Sequence, residues 1–313
     1  MTRFIFRRLA ELPFVLLGVS LLTFLLVRLV PVEPAEVILR LSNLPATDEA
    51  VAEVRAGLGM DKPLYVQYGL WLSRTITFDF GSSYVSKLPI ADEIAAKFPA
   101  TLQLALSALL LTVLIGVPLG ILSSRFHTRW MDRVTAVFMY IGAATPRFWL
   151  GFLLLYVFSL RLDWLPSQGK EGLAHLILPS LTLALPQIAV VARLLSSQML
   201  EQMRETFVLY GRFRGLGDGF ILVRHVLRNA LAPIVTVLGL GIGNMLGGTV
   251  IVEQVFGWPG MGRYLMESIL NRDYPVIQCY VWLMAVVYVT VNLVADGIQR
   301  LLDPRAEYGE GKT

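Results

Sequence analysis

The stretch FRGLGDGFILVRHVLRNALAPIV, Phe213 to Val235, is basic and glycine-punctuated and lies between two long apolar runs. Just upstream, ETFVLYGRFR (205–214) places Phe207, Tyr210 and Phe213 at helical spacing on one face. Gly215 and Gly217 are able to adopt positive φ and end that helix, and Asp218 is a candidate N-cap for the next. In that second helix Arg224, His225, Arg228 and Asn229 share a face, Phe220, Val223, Val226 and Leu227 cover another, and Pro233 follows. The spacing predicts two short helices at an angle on a membrane surface, with a polar face toward the cytosol. Two readings remain open at this point. The hairpin is an interfacial anchor with arginines on lipid phosphates, or it is a docking element for a cytoplasmic partner.

Composition supplies the membrane. The chain has 313 residues, 55% of them hydrophobic and only 16% charged, where a soluble domain carries about 25% charged residues. The single cysteine, Cys279, excludes a disulfide framework within the chain and a multi-cysteine zinc site. His127, His175 and His225 are too far apart for metal-ligand spacing. The start MTRFIFRR resembles a signal n-region, but the apolar run after it is too long for a secretory core and no small-residue cleavage site follows, so a retained first span is expected.

Crossing about 30 Å of hydrocarbon takes roughly 20 mostly apolar residues. Six windows qualify: 9–30, 101–122, 134–160, 176–195, 231–252 and 276–301. An even number of crossings leaves both termini on one side. Arginine and lysine mark that side as cytoplasmic: Arg3, Arg7 and Arg8, then Arg125, Arg129 and Arg133, then Arg193, Arg204, Arg212, Arg214, Arg224 and Arg228, and finally Arg300, Arg305 and Lys312. The short loops opposite hold only Arg161 with Lys170 and Arg263 with Arg272. The long first loop, 32–100, carries amphipathic runs (EAVAEVRAGLGM, PLYVQYGLWLSRTI) and turn signals, and is expected to fold as a small outer cap.

The order Y-x-R-x-R-G-L followed by R-H-x-L-R-N-A-x-x-P (Tyr210 to Pro233) resembles the coupling loop of ABC transporter permeases, and more narrowly that of the B-type permease of the peptide/nickel family. LGMDKPLYVQYGLWL (58–72), DFGSSY (79–84), FPATLQLALSALLL (98–111), TPRFWLGFLLL (145–155), GGTVIVEQVFGWPGMGRY (247–264) and NRDYPVIQ (271–278) resemble further signatures of that family in the same order. The resemblance implies an all-α polytopic permease of the cell inner membrane with six transmembrane helices and cytoplasmic termini. It divides as residues 1–100 (first helix plus extracytoplasmic cap), 101–302 (permease core with a coupling loop at 201–230) and 303–313 (cytoplasmic tail). It implies that Tyr210, Arg212, Arg214, Gly215, Leu216, His225, Arg228, Asn229 and Pro233 enter a cleft of an ATPase subunit. The implied partners are a second homologous permease forming a heterodimer, two cytoplasmic ABC ATPases, an extracytoplasmic substrate-binding protein and membrane lipid, with no nucleic acid. RLSNLPATDE (40–49), FDFGSSYVSKLPI (78–90) and DYPVIQC (273–279) look most like nickel or metal-chelate permeases, with a di- or oligopeptide permease as the alternative.

Enzymatic motifs are absent. A phosphate-binding loop needs G-x-x-x-x-G-K-[ST] between a strand and a helix. The terminal EGKT has Ala306 where the first glycine belongs. No nucleophile elbow or HExxH occurs, so no cofactor or metal is expected and ATP hydrolysis falls to another subunit. An ion-coupled secondary transporter would want inverted repeats and mid-membrane carboxylates, and the spans show no repeat and almost no mid-span acid.

Ionisable residues within spans are candidates for function. Pro146, Arg147, Glu253 and Asp273 are the candidate pathway residues, and Arg147 is a departure from the small or polar residue the resemblance implies there. The structural alternative pairs Arg147 with a carboxylate such as Glu253, or has it snorkel. Asp296 and Arg300 are expected to pair within the last helix, Glu11 and Arg28 to snorkel, and Cys279 to be a core thiol rather than a ligand. The segment 257–275, rich in glycine and proline, is expected to close the outer end of the path.

Overall fold

The computed structural model describes residues 2–29, 33–42, 44–125, 136–137, 140–142 and 144–302, with side chains from residue 10 to residue 299 of these. The expectations on His127, Arg129, Arg133, Arg305, Lys312 and the 303–313 tail lie outside the described residues. So do the side chains of Arg3, Arg7, Arg8 and Arg300, and with Arg300 the expected Asp296 pair.

The regular secondary structure of the described residues is helical, apart from one isolated bridge between Ser82 and Pro89. In chain order the helices are α1 (Thr2–Leu29), α2 (Pro34–Leu41), α3 (Asp48–Gly57), α4 (Leu64–Ile76), α5 (Ile90–Arg125), α6 (Arg147–Leu154), α7 (Leu173–Gln202), α8 (Thr206–Phe213), α9 (Asp218–Ile221), α10 (Leu227–Val255), α11 (Met261–Leu270) and α12 (Tyr274–Leu302). Wider π turns continue α6 over Leu155–Arg161 and join α9 to α10 over Leu222–Val226.

Among the described residues five helical runs are long and apolar enough to cross a membrane: Ala10–Leu29, Ile90–Arg125, Leu173–Gln202, Asp218–Val255 and Tyr274–Gln299. The sixth expected window, 134–160, lies partly outside the described residues. In its described part the helix is interrupted, because Pro146 is extended (φ −61°, ψ 137°) and serves as the N-cap of α6. A proline has no N–H and clashes with a preceding turn. Pro146 therefore starts a new helix within the window expected to be one span.

The chain clusters into two compact units, Met1–Thr101 with Pro259–Val289, and Leu102–Trp258 with Thr290–Thr313. In the first unit the segment expected to form a cap folds as the helices α2 to α4. Thr47 caps α3 by accepting the Ala50 N–H at 3.3 Å, which satisfies a donor that the first helical turn leaves free. Arg55 bonds Glu33 at the start of α2, and this hydrogen bond holds the Glu33 carboxyl below its usual range. The cap helix α4 meets α1 through aromatic rings, with Phe24 packed on Tyr68 at 5.5 Å and on Trp71 at 6.2 Å, and Ser20 bonded to the Tyr68 hydroxyl at 2.8 Å. Phe14, Leu22, Leu26 and Leu29 on α1 are exposed, as expected of side chains that face lipid.

Four separated sequence signatures interlock in this unit. Buried Asp273 accepts the Ser83 hydroxyl and the backbone N–H groups of Tyr84 (3.0 Å) and Val85 (3.4 Å), tying DFGSSY to NRDYP. Thr101 accepts the Met261 N–H at 2.7 Å, and the Tyr264 hydroxyl bonds Glu93, tying FPAT and its approach to GMGRY. Burial pushes the Tyr84 phenol up to about 12, against the pull of Arg28 and with help from Asp273. Burial and then the Glu93 hydrogen bond push Tyr264 up as well.

In the second unit small residues set the helix spacing. Gly116 and Gly120 of α5 lie against Val191 and Leu195 of α7, and a Cβ at Gly120 would stand 2.9 Å from that of Leu195. Two small residues four apart let membrane helices approach this closely. Gly239 of α10 does the same toward Ala295 of α12.

Candidate functional site

The hairpin that opens the sequence argument is built on a buried seam. Val208 of α8, Ile221 of α9, Leu222 and Val226 of the π turn, and Ala230 and Ile234 of α10 join Val191, Leu195 and Met199 of α7 in one core cluster. Gly211 lets α8 close on α9, since a Cβ there would stand 3.1 Å from Ile221 Cδ1. The turn between them is a Schellman motif: Gly215 has φ +75°, its N–H reaches the Arg212 carbonyl at 2.9 Å, and the Leu216 N–H reaches the Gly211 carbonyl at 3.1 Å. A side chain at position 215 would be strained at that φ.

Three local expectations need correction. Gly217 has φ −65°, so only Gly215 takes the left-handed conformation, and Gly217 itself is the N-cap of α9. Asp218 is then the first helical residue and caps no N–H; its carboxylate accepts from Arg212 Nε at 3.0 Å. The second arm is also not a separate short helix. It runs through the π turn into the span as one helical run, Asp218–Val255, about 57 Å long at about 1.5 Å per residue. Pro233 sits inside that run.

With Val208 and Gly211 turned inward, Leu209, Tyr210, Phe213, Leu216, Phe220 and Val223 are left exposed. Phe207 packs against the core, so the helical-face grouping of Phe207 with Tyr210 and Phe213 separates. Arg212, Arg214, Gly215, His225, Arg228 and Asn229 are exposed, Pro233 is half-buried, and the His225 ring stands edge-on to Phe220 at 5.8 Å. Tyr210, Arg212, Arg214, Gly215, Leu216, His225, Arg228 and Asn229 thus all lie on solvent-accessible surface of one hairpin. The Arg212–Asp218 pair is exposed and contributes at most about 1 kcal/mol.

The candidate pathway residues separate. Arg147, at the start of α6, is half-buried and donates from Nη1 to the Asn244 carbonyl of α10 at 3.0 Å. This carbonyl takes the place of the carboxylate expected as its partner. Its guanidinium lies over Gly248, where a Cβ would be 2.3 Å from Nη1. Gln187 of α7 repeats the device: it donates to the Val237 carbonyl at 3.3 Å and lies over Gly241, where a Cβ would be 2.2 Å from Nε2. Each polar side chain thus covers a glycine and bonds the carbonyl four residues before it. Sequence reasoning missed Gln187, Gly241 and Gly248; the only trace was the glycine-rich run GLGIGNMLGG (239–248), which reads as plain span. Glu253 is buried on α10, and its carbonyl accepts the Trp258 N–H at 2.9 Å. Asp273 belongs to the other unit and holds the 83–85 loop as described above. No cluster of three or more metal-ligating side chains occurs among the described residues.

Comparison with known proteins adds the family. Residues 116–308 match the family described as "Binding-protein-dependent transport system inner membrane component", and residues 1–105 match its N-terminal companion. The chain belongs to that family. It is 40% identical over 309 residues to the glutathione transport system permease protein GsiC of Escherichia coli strain K12, which covers 98% of this chain and 100% of the relative. The Salmonella typhi GsiC is 39% identical over 308 residues, at 98% and 100% coverage. Among solved structures the inward-facing MetNI methionine ABC transporter superposes with a TM-score of 0.57 at 17% identity, over 67% of this chain and 95% of that one; this shows a shared fold. The chain is accordingly a multi-pass inner-membrane permease subunit of an ABC importer, a transport subunit and not an enzyme. Permeases of this family work with ATPase subunits and a substrate-binding protein. The ion-coupled alternative is set aside, and none of these relatives is named for nickel.

Proposed function

We propose that this permease serves an importer of small peptides, with glutathione-type cargo, and that ATP-driven motion enters through the hairpin 206–233. The peptide alternative replaces the nickel or metal-chelate reading, because the relatives that match end to end are glutathione permeases. Six spans are proposed, with the window 134–160 as the third, both termini cytoplasmic and the α2–α4 cap outside. A homologous permease would complete a heterodimer, and each hairpin would sit in one ATPase.

The observation that carries the coupling role is the exposed apolar set Leu209, Tyr210, Phe213, Phe220 and Val223 on a hairpin whose opposite face is core. Large side chains left in water beside arginines fit a protein surface that buries them. The continuous run from α9 into α10 gives such a partner a stiff lever into the span. Tyr210, Arg212, Arg214, Gly215, Leu216, His225, Arg228 and Asn229 would make the contact, and Pro233 would mark where the lever enters the bilayer. Arg147, with Pro146, is proposed to line the path, whereas Glu253 is fully buried on α10. A guanidinium there favours a carboxylate-bearing cargo and repels a bare cation.

The test is uptake by the reconstituted importer with its binding protein and ATP. Glutathione or a dipeptide should accumulate, a nickel chelate should not, and Arg147→Ser should lower uptake of the anionic cargo more than of a neutral dipeptide. Nickel-chelate uptake without peptide uptake would overturn the cargo reading.

A further inference from the structure

The first unit contains a cavity of about 610 Å³ that the transport reading does not use. It lies between the outer end of α1, the cap helices α3 and α4, the 79–87 loop and the start of α12. Its volume is in the range of small-molecule sites, about 300–1,000 Å³. Phe24, Trp71, Phe80 and Tyr84 give it aromatic walls, and Arg28, Lys62, Arg74 and Lys87 line it against one acid, Asp79.

The charge is uncompensated. Elsewhere in this unit Arg40, Arg55, Lys97 and Arg263 each have a carboxylate within ion-pair distance. Among the described residues the four cavity cations have none. Arg28 stacks its guanidinium over Phe24 at 5.4 Å, and its buried Nε has no hydrogen-bond acceptor. Gln67, also on the wall, has its amide fixed by donation to the carbonyls of Met60 (3.0 Å) and Lys62 (2.7 Å), which leaves buried Oε1 without a donor. An unmade bond on a buried polar atom costs about 1–3 kcal/mol, so a donor and an acceptor orphaned together at one cavity wall are unfavourable unless something completes them. Lys87 on the rim is held at φ +62° without being glycine, a strained conformation that persists where the surroundings impose it.

We propose that this cavity is a binding site for a small soluble anion of the peptide class, with a carboxylate against Arg28 and an adjacent amide N–H toward Gln67. Lys62, Arg74 and Lys87 draw the anion in, and the aromatic walls cover its apolar part. The proposal rests on the peptide-cargo reading only for the choice of probe.

The test is calorimetric titration of glutathione into the purified permease–ATPase complex, without binding protein, in discs of zwitterionic lipid. Saturable binding is expected, at least tenfold weaker for glutathione diethyl ester and for Arg28→Gln. Exposed Lys62→Gln and Lys87→Gln, which leave assembly intact, should each weaken binding severalfold and reduce its salt dependence. Binding that ignores the ester and all three substitutions overturns the proposal. So does occupancy by phosphatidylglycerol, added to the disc, with no soluble anion bound; that would assign the cavity to a lipid headgroup. Uptake without cavity binding would sink this site and spare the transport reading, and cavity binding without uptake would do the reverse.

Discussion

Replacing Phe213 by alanine isolates the proposed docking face from everything that holds the chain together. Phe213 ends α8, is 78% exposed and lies outside the core cluster. An aromatic side chain buries about 150–250 Å² when fully covered, so a partner covering the exposed part would remove about 150 Å² from water. At about 25 cal/mol per Å² the upper limit is about 4 kcal/mol. Anchors at interface centres lose about 2–4 kcal/mol on truncation, which is about 30- to 1,000-fold in affinity. The assay is titration of purified ATPase subunit onto permease in lipid discs, with thermal unfolding of the permease alone as the control. The expected result is a large loss of affinity, loss of cargo-stimulated ATP hydrolysis, and an unchanged permease Tm. Binding within threefold of the unsubstituted protein would refute the docking argument. A lowered Tm would show instead that Phe213 packs within the permease.

Further outcomes follow from the packing. Gly239→Ala sets a Cβ 2.2 Å from Ala295 Cβ, where neither side can move away without backbone shift, so a loss of about 1–3 kcal/mol is expected in thermal or denaturant unfolding. Gly248→Ala meets only the end of the Arg147 side chain; the arginine should swing off the Asn244 carbonyl with a smaller stability loss but a change in anionic-cargo transport. Asp273→Ala leaves the Ser83 hydroxyl and the Tyr84 N–H without their acceptor and leaves the Val85 N–H only its Ser83 Oγ contact at 3.1 Å, and limited proteolysis should then cut the 77–89 loop in the intact complex. Tyr84 has its pKa raised from 10.0 to about 12, so its contribution to the cap is full below pH 10.0 and fades as pH rises toward about 12; Tyr84→Phe should flatten that alkaline loss in the same proteolysis assay.

Much of the architecture was legible in the sequence because hydropathy and length speak directly to spans, and five of the expected windows correspond to described helices of spanning length. The hairpin was legible because glycine at 215 and the basic and apolar spacing around it leave few alternatives. The errors came from contacts between distant parts. Whether Gly217 or Asp218 caps α9 depends on how α8 closes over Ile221, which no local pattern carries. Helical spacing groups Phe207, Tyr210 and Phe213 on one face of α8, but which side packs inward is decided by contacts with α7 and α9, where Val208 and not the larger aromatics enters the core. The alternative of a carboxylate partner for Arg147 rests on charge suggesting charge; the fold instead offers a carbonyl made reachable by the missing side chain of Gly248. The clasp of Asp273 on the 83–85 loop joins positions 190 residues apart, and composition holds no trace of it.

Coupling through the hairpin requires that the exposed face of α8 touch an ATPase subunit in the working importer. A photo-crosslinking residue in place of Tyr210, in the complex assembled with its ATPases in lipid, measures this directly. The account predicts a crosslink to the ATPase subunit whose yield changes between nucleotide-free and ATP-bound states. Crosslinks to lipid alone, or to the binding protein on the opposite side, would contradict it.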